Sequence, residues 1–132
     1  MRHHTCFALA LVALLASACS SNSGPPEPVT LRLADGTQGI FAPEDALGLG
    51  ENMITITLTR ADATPITGLN LQVDAFMPAH GHGLRQPPVA SELGEGRYMV
   101  HIDFHMTGRW DMSVALGEGE DAPSFSVPLE VR

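Results

Sequence analysis

The stretch "RYMVHIDFH", residues 97–105, alternates between apolar and polar side chains at every position except Met99. Side chains two residues apart lie on the same face of a β-strand. The pattern therefore predicts a strand with one buried and one exposed face. The buried face would carry Tyr98, Val100, Ile102 and Phe104, and the opposite face Met99, His101, Asp103 and His105.

The same alternation recurs through most of the chain. It is clearest in "NMITITLT" (52–59) and "GLNLQVDAFM" (68–77), and it continues in residues 29–33, 88–93, 110–116 and 125–131. The segments between these runs are rich in glycine, aspartate and proline, as turns are. About seven short strands at this spacing predict an all-β antiparallel sandwich. Pro128 within the last run predicts an edge strand, since proline cannot donate to a sheet.

The N-terminus has the plan of a secretory signal segment. Arg2 precedes the apolar run "FALALVALLA" (7–16), and small residues follow it. We therefore assign residues 1–18 to a signal peptide. The sequence "ASAC" resembles the lipobox of bacterial lipoproteins, in which the cysteine receives lipid, although Ala16 stands where leucine is usual and ordinary signal peptidase would also accept "ASA".

Cysteine content favours lipidation. Cys6 would leave with the signal peptide, and Cys19 would then be the single thiol of an exported chain. Residues 19–28 would form a lipidated cysteine and a flexible tether of serine, glycine and proline. A folded domain would cover residues 29–132. The expected location is the cell envelope, with the lipid in the outer membrane on its periplasmic side.

The net charge of the chain limits the classes of partner that it can bind. Without residues 1–18 the chain has six arginines, no lysine and fifteen acidic residues, which gives a net charge near −9. Such a surface disfavours nucleic acid as a partner. It is compatible with cations, although solubility alone also accounts for it.

Four histidines remain after processing, and they fall in two short clusters. In "MPAHGHG" (77–83), His80 and His82 would point the same way in an extended chain, about 6.6 Å apart. Imidazole together with the Met77 thioether suits copper, Cu(I) above all. The sequence therefore predicts a copper site with His80 and His82 at its centre.

The second cluster is "HIDFHM" (101–106). His101 and His105 are about 13 Å apart along a flat strand, so they cannot share an ion unless the strand bends. Met77, His105 and Met106 are the predicted additional ligands of the copper site. Met53, Met99 and Met112 are interpreted as packing or uninformative residues.

The segments "MPAHGHG" and "GEGRYMVHIDFHMTGRWDMSV" resemble the YtkA-like/FixH-like group of small exported bacterial domains. The shared positions are Met77, Pro78 and His80, then Gly96 and Tyr98, then Met106, Gly108 and Trp110. The resemblance implies an immunoglobulin-like β-sandwich and a link to copper handling and oxidase assembly. The FixH-type membrane helix is lacking, so the YtkA-like members are the closer match.

Three functions stay open from the sequence. The first is a copper chaperone or buffer anchored to the membrane by its N-terminal lipid. The second is a metal-free accessory module that docks on an envelope transporter or oxidase. The third, an enzyme, is not expected, because the chain lacks G-x-S-x-G, C-x-x-C and H-E-x-x-H motifs.

Overall fold

A computed structural model of the chain describes residues 24–132, so the predicted signal peptide and Cys19 lie outside the described residues. Residues 24–28 of the predicted tether are exposed and have no regular structure. The remainder contains nine strands: β1 Val29–Arg32, β2 Gln38–Pro43, β3 Gly50–Thr59, β4 Gln72–Met77, β5 His82–Gly83, β6 Val89–Gly94, β7 Arg97–Phe104, β8 Gly108–Ala115 and β9 Ser124–Val131.

The strands form two antiparallel sheets. The first sheet has the order β1-β2-β3-β7-β6, and the second has the order β5-β4-β8-β9. The predicted antiparallel sandwich is therefore confirmed, and β9, which contains Pro128, is an edge strand as predicted. Between residues 24 and 132 no helix has the length and apolar character that crossing a bilayer requires.

The sandwich has more strands than the seven predicted, because β2 and β5 were missed. In β2 the core-facing position 39 is a glycine, so the alternation has no apolar side chain there. A Cβ on Gly39 would lie 2.9 Å from the Phe41 ring and 3.1 Å from the Phe125 ring. β5 has only two residues, which is too short for any periodic signal.

Aromatic pairs join the two sheets across the core. Phe104 of the first sheet contacts Trp110 of the second, with ring centroids 5.3 Å apart. Phe41 and Phe125 form a second pair at 5.3 Å in an edge-to-face arrangement. Such pairs contribute about 0.5–1.5 kcal/mol beyond the area that they bury. All buried hydrophobic side chains among the described residues lie between Phe41 and Val131 in the sequence, so this segment builds the core.

A tight turn connects β6 to β7. Gly94 and Arg97 are paired, and the two residues between them have positive φ, 55° at Glu95 and 75° at Gly96. Two positive φ angles define the type I′ turn that matches the twist of a hairpin. The glycine-rich composition of this segment agrees with the turns predicted between the strands. The turn sets the register of β7, which carries His101 and ends directly before His105.

Candidate functional site

The predicted copper loop is the tip of a hairpin between β4 and β5. The backbone N–H groups of His80 and Gly81 both donate to the carbonyl of Met77, at 3.3 and 3.0 Å. Gly81 has a φ of 65°, which glycine adopts without strain. Met77 is then paired with His82 across the hairpin. The chain reverses within residues 78–81, and this reversal brings the two histidines to the same tip.

The rings of His80 and His82 lie next to each other in solvent. Their centroids are 6.4 Å apart, and their planes differ by only 21°. Both residues are exposed. Two imidazoles that bind one ion with bonds of about 2.0–2.1 Å have centroids about 5–6.5 Å apart, depending on the angle at the metal. The observed 6.4 Å lies at the upper limit of this range, so a copper ion shared by the two rings at this separation requires a nearly linear N–Cu–N arrangement.

Met77 does not join the pair at the surface. Its side chain is 1% exposed and belongs to the core. Its methyl carbon lies 3.5 Å from the position that a Cβ on Gly108 would occupy. The signal for this placement is present in the sequence, because Met77 continues the alternating core face of Val73 and Ala75 in β4.

His105 and Met106 form the connection that leads from β7 in the first sheet to β8 in the second. The His105 ring meets Trp110 edge-on, with centroids 5.6 Å apart at 74°. Its Nδ1 is buried and has no hydrogen-bond partner. Met106 packs partly against the core, and its carbonyl accepts a hydrogen bond of 3.0 Å from the Trp110 indole.

The hairpin and this connection lie at one end of the sandwich. Phe76, next to the hairpin, is paired with Asp111, a few residues after Met106. Strand pairing thus brings the two segments to the same end of the second sheet, and a copper ion shared by their side chains stays a prediction. However, no three His, Cys, Asp or Glu side chains within residues 24–132 are arranged around one possible metal position. The histidine pair and His105 therefore lie in two separate groups, and their role as ligands stays a prediction.

A further set of side chains lies on the outer face of the first sheet. His101 Nδ1 is 2.9 Å from Glu51 Oε1. Met53 is directly opposite His101 on β3, and Met99 precedes His101 by two residues on β7. We call His101, Glu51, Met53 and Met99 the sheet-face cluster. The alternation of β7 predicted that Met99 and His101 share a face, but the contribution of β3 depends on strand register, which the sequence did not supply.

Comparison with known proteins agrees with this architecture. The sequence model of the family described as YtkA-like matches residues 34–115, which is more than half of the chain and includes all five predicted copper ligands. No curated protein sequence matches the chain. The FixH-like part of the resemblance stays a prediction.

Solved structures similar to the chain are distant in sequence. The filamin domain of Lin-41 has a TM-score of 0.50 and 14% identity, over 66% of this chain and 81% of that one. The C-terminal domain of ZirS has a TM-score of 0.44 and 13% identity, over 100% of this chain and 85% of that one. The likeness to the filamin domain concerns the fold alone, and it confirms the immunoglobulin-like sandwich.

Proposed function

The chain belongs to the YtkA-like family, and we propose that it is an exported lipoprotein of the bacterial cell envelope that binds copper at its β4–β5 hairpin. One observation carries this proposal: the exposed His80 and His82 rings are nearly parallel, with centroids 6.4 Å apart. Imidazole nitrogens are good ligands for copper in either oxidation state. The role proposed is that of a chaperone or buffer, which carries the ion without turnover.

Of the other predicted ligands, His105 and Met106 are kept in this proposal and Met77 is not. His105 and Met106 are assigned as a second group at the same end of the sandwich. The buried His105 Nδ1 without a hydrogen-bond partner supports a role for this imidazole beyond packing, because buried polar atoms are usually paired. Met77 is left out, since its thioether is in the core.

An open two-histidine tip suits transfer of the ion. Both rings are accessible to solvent, so a partner protein could contact the same ion from outside. The acidic composition, with fifteen Asp and Glu, favours a cation over an anion near the surface. An envelope oxidase or transporter is the class of partner that we propose.

Membrane attachment is proposed through lipid on Cys19. The exposed residues 24–28 contain three prolines and would hold the sandwich away from the lipid surface. Mass spectrometry of the exported protein should find a diacylglyceryl group on Cys19, and the Cys19→Ser variant should be released from the membrane fraction. An unmodified Cys19 in a membrane-free protein would contradict this part of the proposal.

Copper binding is tested by titrating residues 24–132 with Cu(II) against a coloured chelator. This fragment has no cysteine, so no thiol competes for or reduces the ion. The His80→Ala/His82→Ala variant should lose the high-affinity equivalent. His101→Ala, which removes one imidazole from the other sheet, is the matched control and should retain it. If the double variant binds Cu(II) as the wild type does, the hairpin is not the site.

A metal-free docking module is the second candidate. Phe76, adjacent to the hairpin, is a large apolar side chain that is 48% exposed on the outer face of the second sheet. Aromatic side chains are enriched in protein interfaces. If the hairpin fails to bind copper and the Phe76→Ser variant abolishes co-purification with a single envelope protein, docking replaces copper binding as the function.

A further inference from the structure

The sheet-face cluster collects imidazole, thioether and carboxylate groups from two neighbouring strands. β3 and β7 are antiparallel, with Met53 paired to His101 and Thr55 paired to Met99. The Cβ atoms of a directly opposite pair are about 4.5–5.5 Å apart, and diagonal neighbours such as Met53 and Met99 are about 7–8 Å apart. The flexible methionine side chains span these distances easily.

All three donor side chains are accessible. Met53 is 40% exposed and the His101 side chain 42% exposed, while Met99 is half-buried. The other outward positions of β3 near this point are the threonines 55, 57 and 59, which suit an exposed strand face. Met53 precedes that series, at the position opposite His101. Packing in the core does not account for it, because its side chain is 40% exposed and lies on the face opposite to the buried Ile54 and Ile56.

Glu51 prepares the His101 ring for ligation. The carboxylate lies 2.9 Å from Nδ1, so a proton on Nδ1 is donated to Glu51. The lone pair of the neutral ring is then on Nε2, the nitrogen left free. A carboxylate that holds the distal nitrogen in this way is typical of metal-binding histidines, because it sets the tautomer and the orientation of the ring.

We propose that the sheet-face cluster is a Cu(I) site, with His101 Nε2 and the sulfur atoms of Met53 and Met99 as its three ligands and Glu51 as the residue that orients His101. Two thioethers and one imidazole form a soft donor set, which selects Cu(I) over zinc and over harder divalent ions. The site is distinct from the hairpin, because it lies on the other sheet and shares no residue with the His80 and His82 pair.

The experiment separates the two sites. Residues 24–132 carrying His80→Ala/His82→Ala are titrated anaerobically with Cu(I) against a chromophoric Cu(I) chelator. We expect this protein to bind one equivalent. Adding Met53→Leu/Met99→Leu should weaken Cu(I) binding by more than about 100-fold, which exceeds the 10–100-fold effect typical of outer-shell partners. Glu51→Ala alone should weaken it by about tenfold.

Controls address folding and thioether content. Both substituted methionines point away from the core, and far-ultraviolet circular dichroism should show the same β-sheet signal in every variant. Met112→Leu, which removes a fully buried thioether from β8, should leave Cu(I) affinity unchanged. X-ray absorption at the copper edge should find two sulfur neighbours, and the NMR methyl signals of Met53 and Met99 should shift while that of Met112 stays.

Two results would overturn the proposal. One is the absence of Cu(I) binding in the His80→Ala/His82→Ala protein. The other is unchanged affinity after Met53→Leu/Met99→Leu. Neither result bears on the hairpin, whose own test uses Cu(II) and the intact sheet face, so the failure of one site is distinguishable from the failure of the other.

Discussion

Replacement of Tyr98 by phenylalanine should destabilise the fold through a single hydroxyl group. The Tyr98 hydroxyl donates to the Ile66 carbonyl at 2.9 Å and accepts from the Leu69 N–H at 3.3 Å. Both partners lie on the connection from β3 to β4, about 30 residues from Tyr98. The hydroxyl therefore fixes the loop that leads into the strand bearing the hairpin.

The magnitude follows from these two bonds. A typical hydrogen bond contributes about 0.5–1.5 kcal/mol net, and a buried group left without its partner costs about 1–3 kcal/mol. Ile66 and Leu69 are only partly buried, so water reaches them after the change. The ring itself stays in the core. We therefore expect Tyr98→Phe to lower the free energy of unfolding by about 1–2 kcal/mol.

The pH dependence gives a second measurement on the same residue. Burial, opposed by the Leu69 hydrogen bond and aided by the Glu92 charge, raises the pKa of Tyr98 above its ordinary value of 10.0. The folded protein keeps this proton at a pH where the unfolded chain releases it. Stability from this group is thus fully present below about pH 10 and is lost as pH rises through the raised pKa.

Urea unfolding of residues 24–132 at pH 7 and at several values above pH 10 tests both effects. The wild type should lose stability more steeply with pH than Tyr98→Phe does, so the two curves should approach each other. Equal stability of both proteins at pH 7, with unchanged m-values, would refute the assignment of the hydroxyl as a structural contact.

Three more results are expected. Gly96→Ala should lower the free energy of unfolding by about 2–5 kcal/mol, because it combines left-handed strain with a Cβ only 2.6 Å from the Leu58 carbonyl oxygen. Gly68→Ala, which has nearly the same φ but nothing within 4 Å, should cost only about 1–2 kcal/mol, and equal losses in urea unfolding would contradict the clash. Met77→Leu should leave copper affinity in the chelator assay unchanged, and a large drop in affinity would place Met77 among the ligands. The same change should lower the free energy of unfolding by less than about 1.5 kcal/mol, since it nearly conserves core volume. Trp110→Phe should lower the thermal midpoint and reduce the free energy of unfolding by about 2–3 kcal/mol, because it removes the indole hydrogen bond to Met106 and leaves a cavity. An unchanged midpoint would argue against both effects.

Much of the fold could be predicted because its signal is local. The alternating residues of β7 and β3 specify both the strand and its buried face, and the buried set Tyr98, Val100, Ile102 and Phe104 agrees with the prediction. β2 escaped prediction because one of its core positions is Gly39, where the rings of Phe41 and Phe125 fill the space that a side chain at position 39 would occupy.

The candidate sites also differ in how far their residues are separated in the sequence. His80 and His82 are close in sequence, but the chain between Met77 and His82 is a turn and not the extended segment that was predicted, and this turn brings their rings together. Met77 was assigned to the copper site on its proximity in sequence, whereas the alternation of β4 already directed it to the core. The partners of His101 could not be inferred, since Glu51 is 50 positions away.

The sequence by itself determined the β-class of the chain, the buried face of each well-patterned strand and the histidine pair at the hairpin, because these depend on backbone geometry over a few residues. Only the tertiary structure decided which strands are neighbours and in what register. That register sets Met53 beside His101 and Tyr98 beneath the β3–β4 loop. Pairing between distant strands is selected by the packing of the whole core, so no short stretch of sequence encodes it.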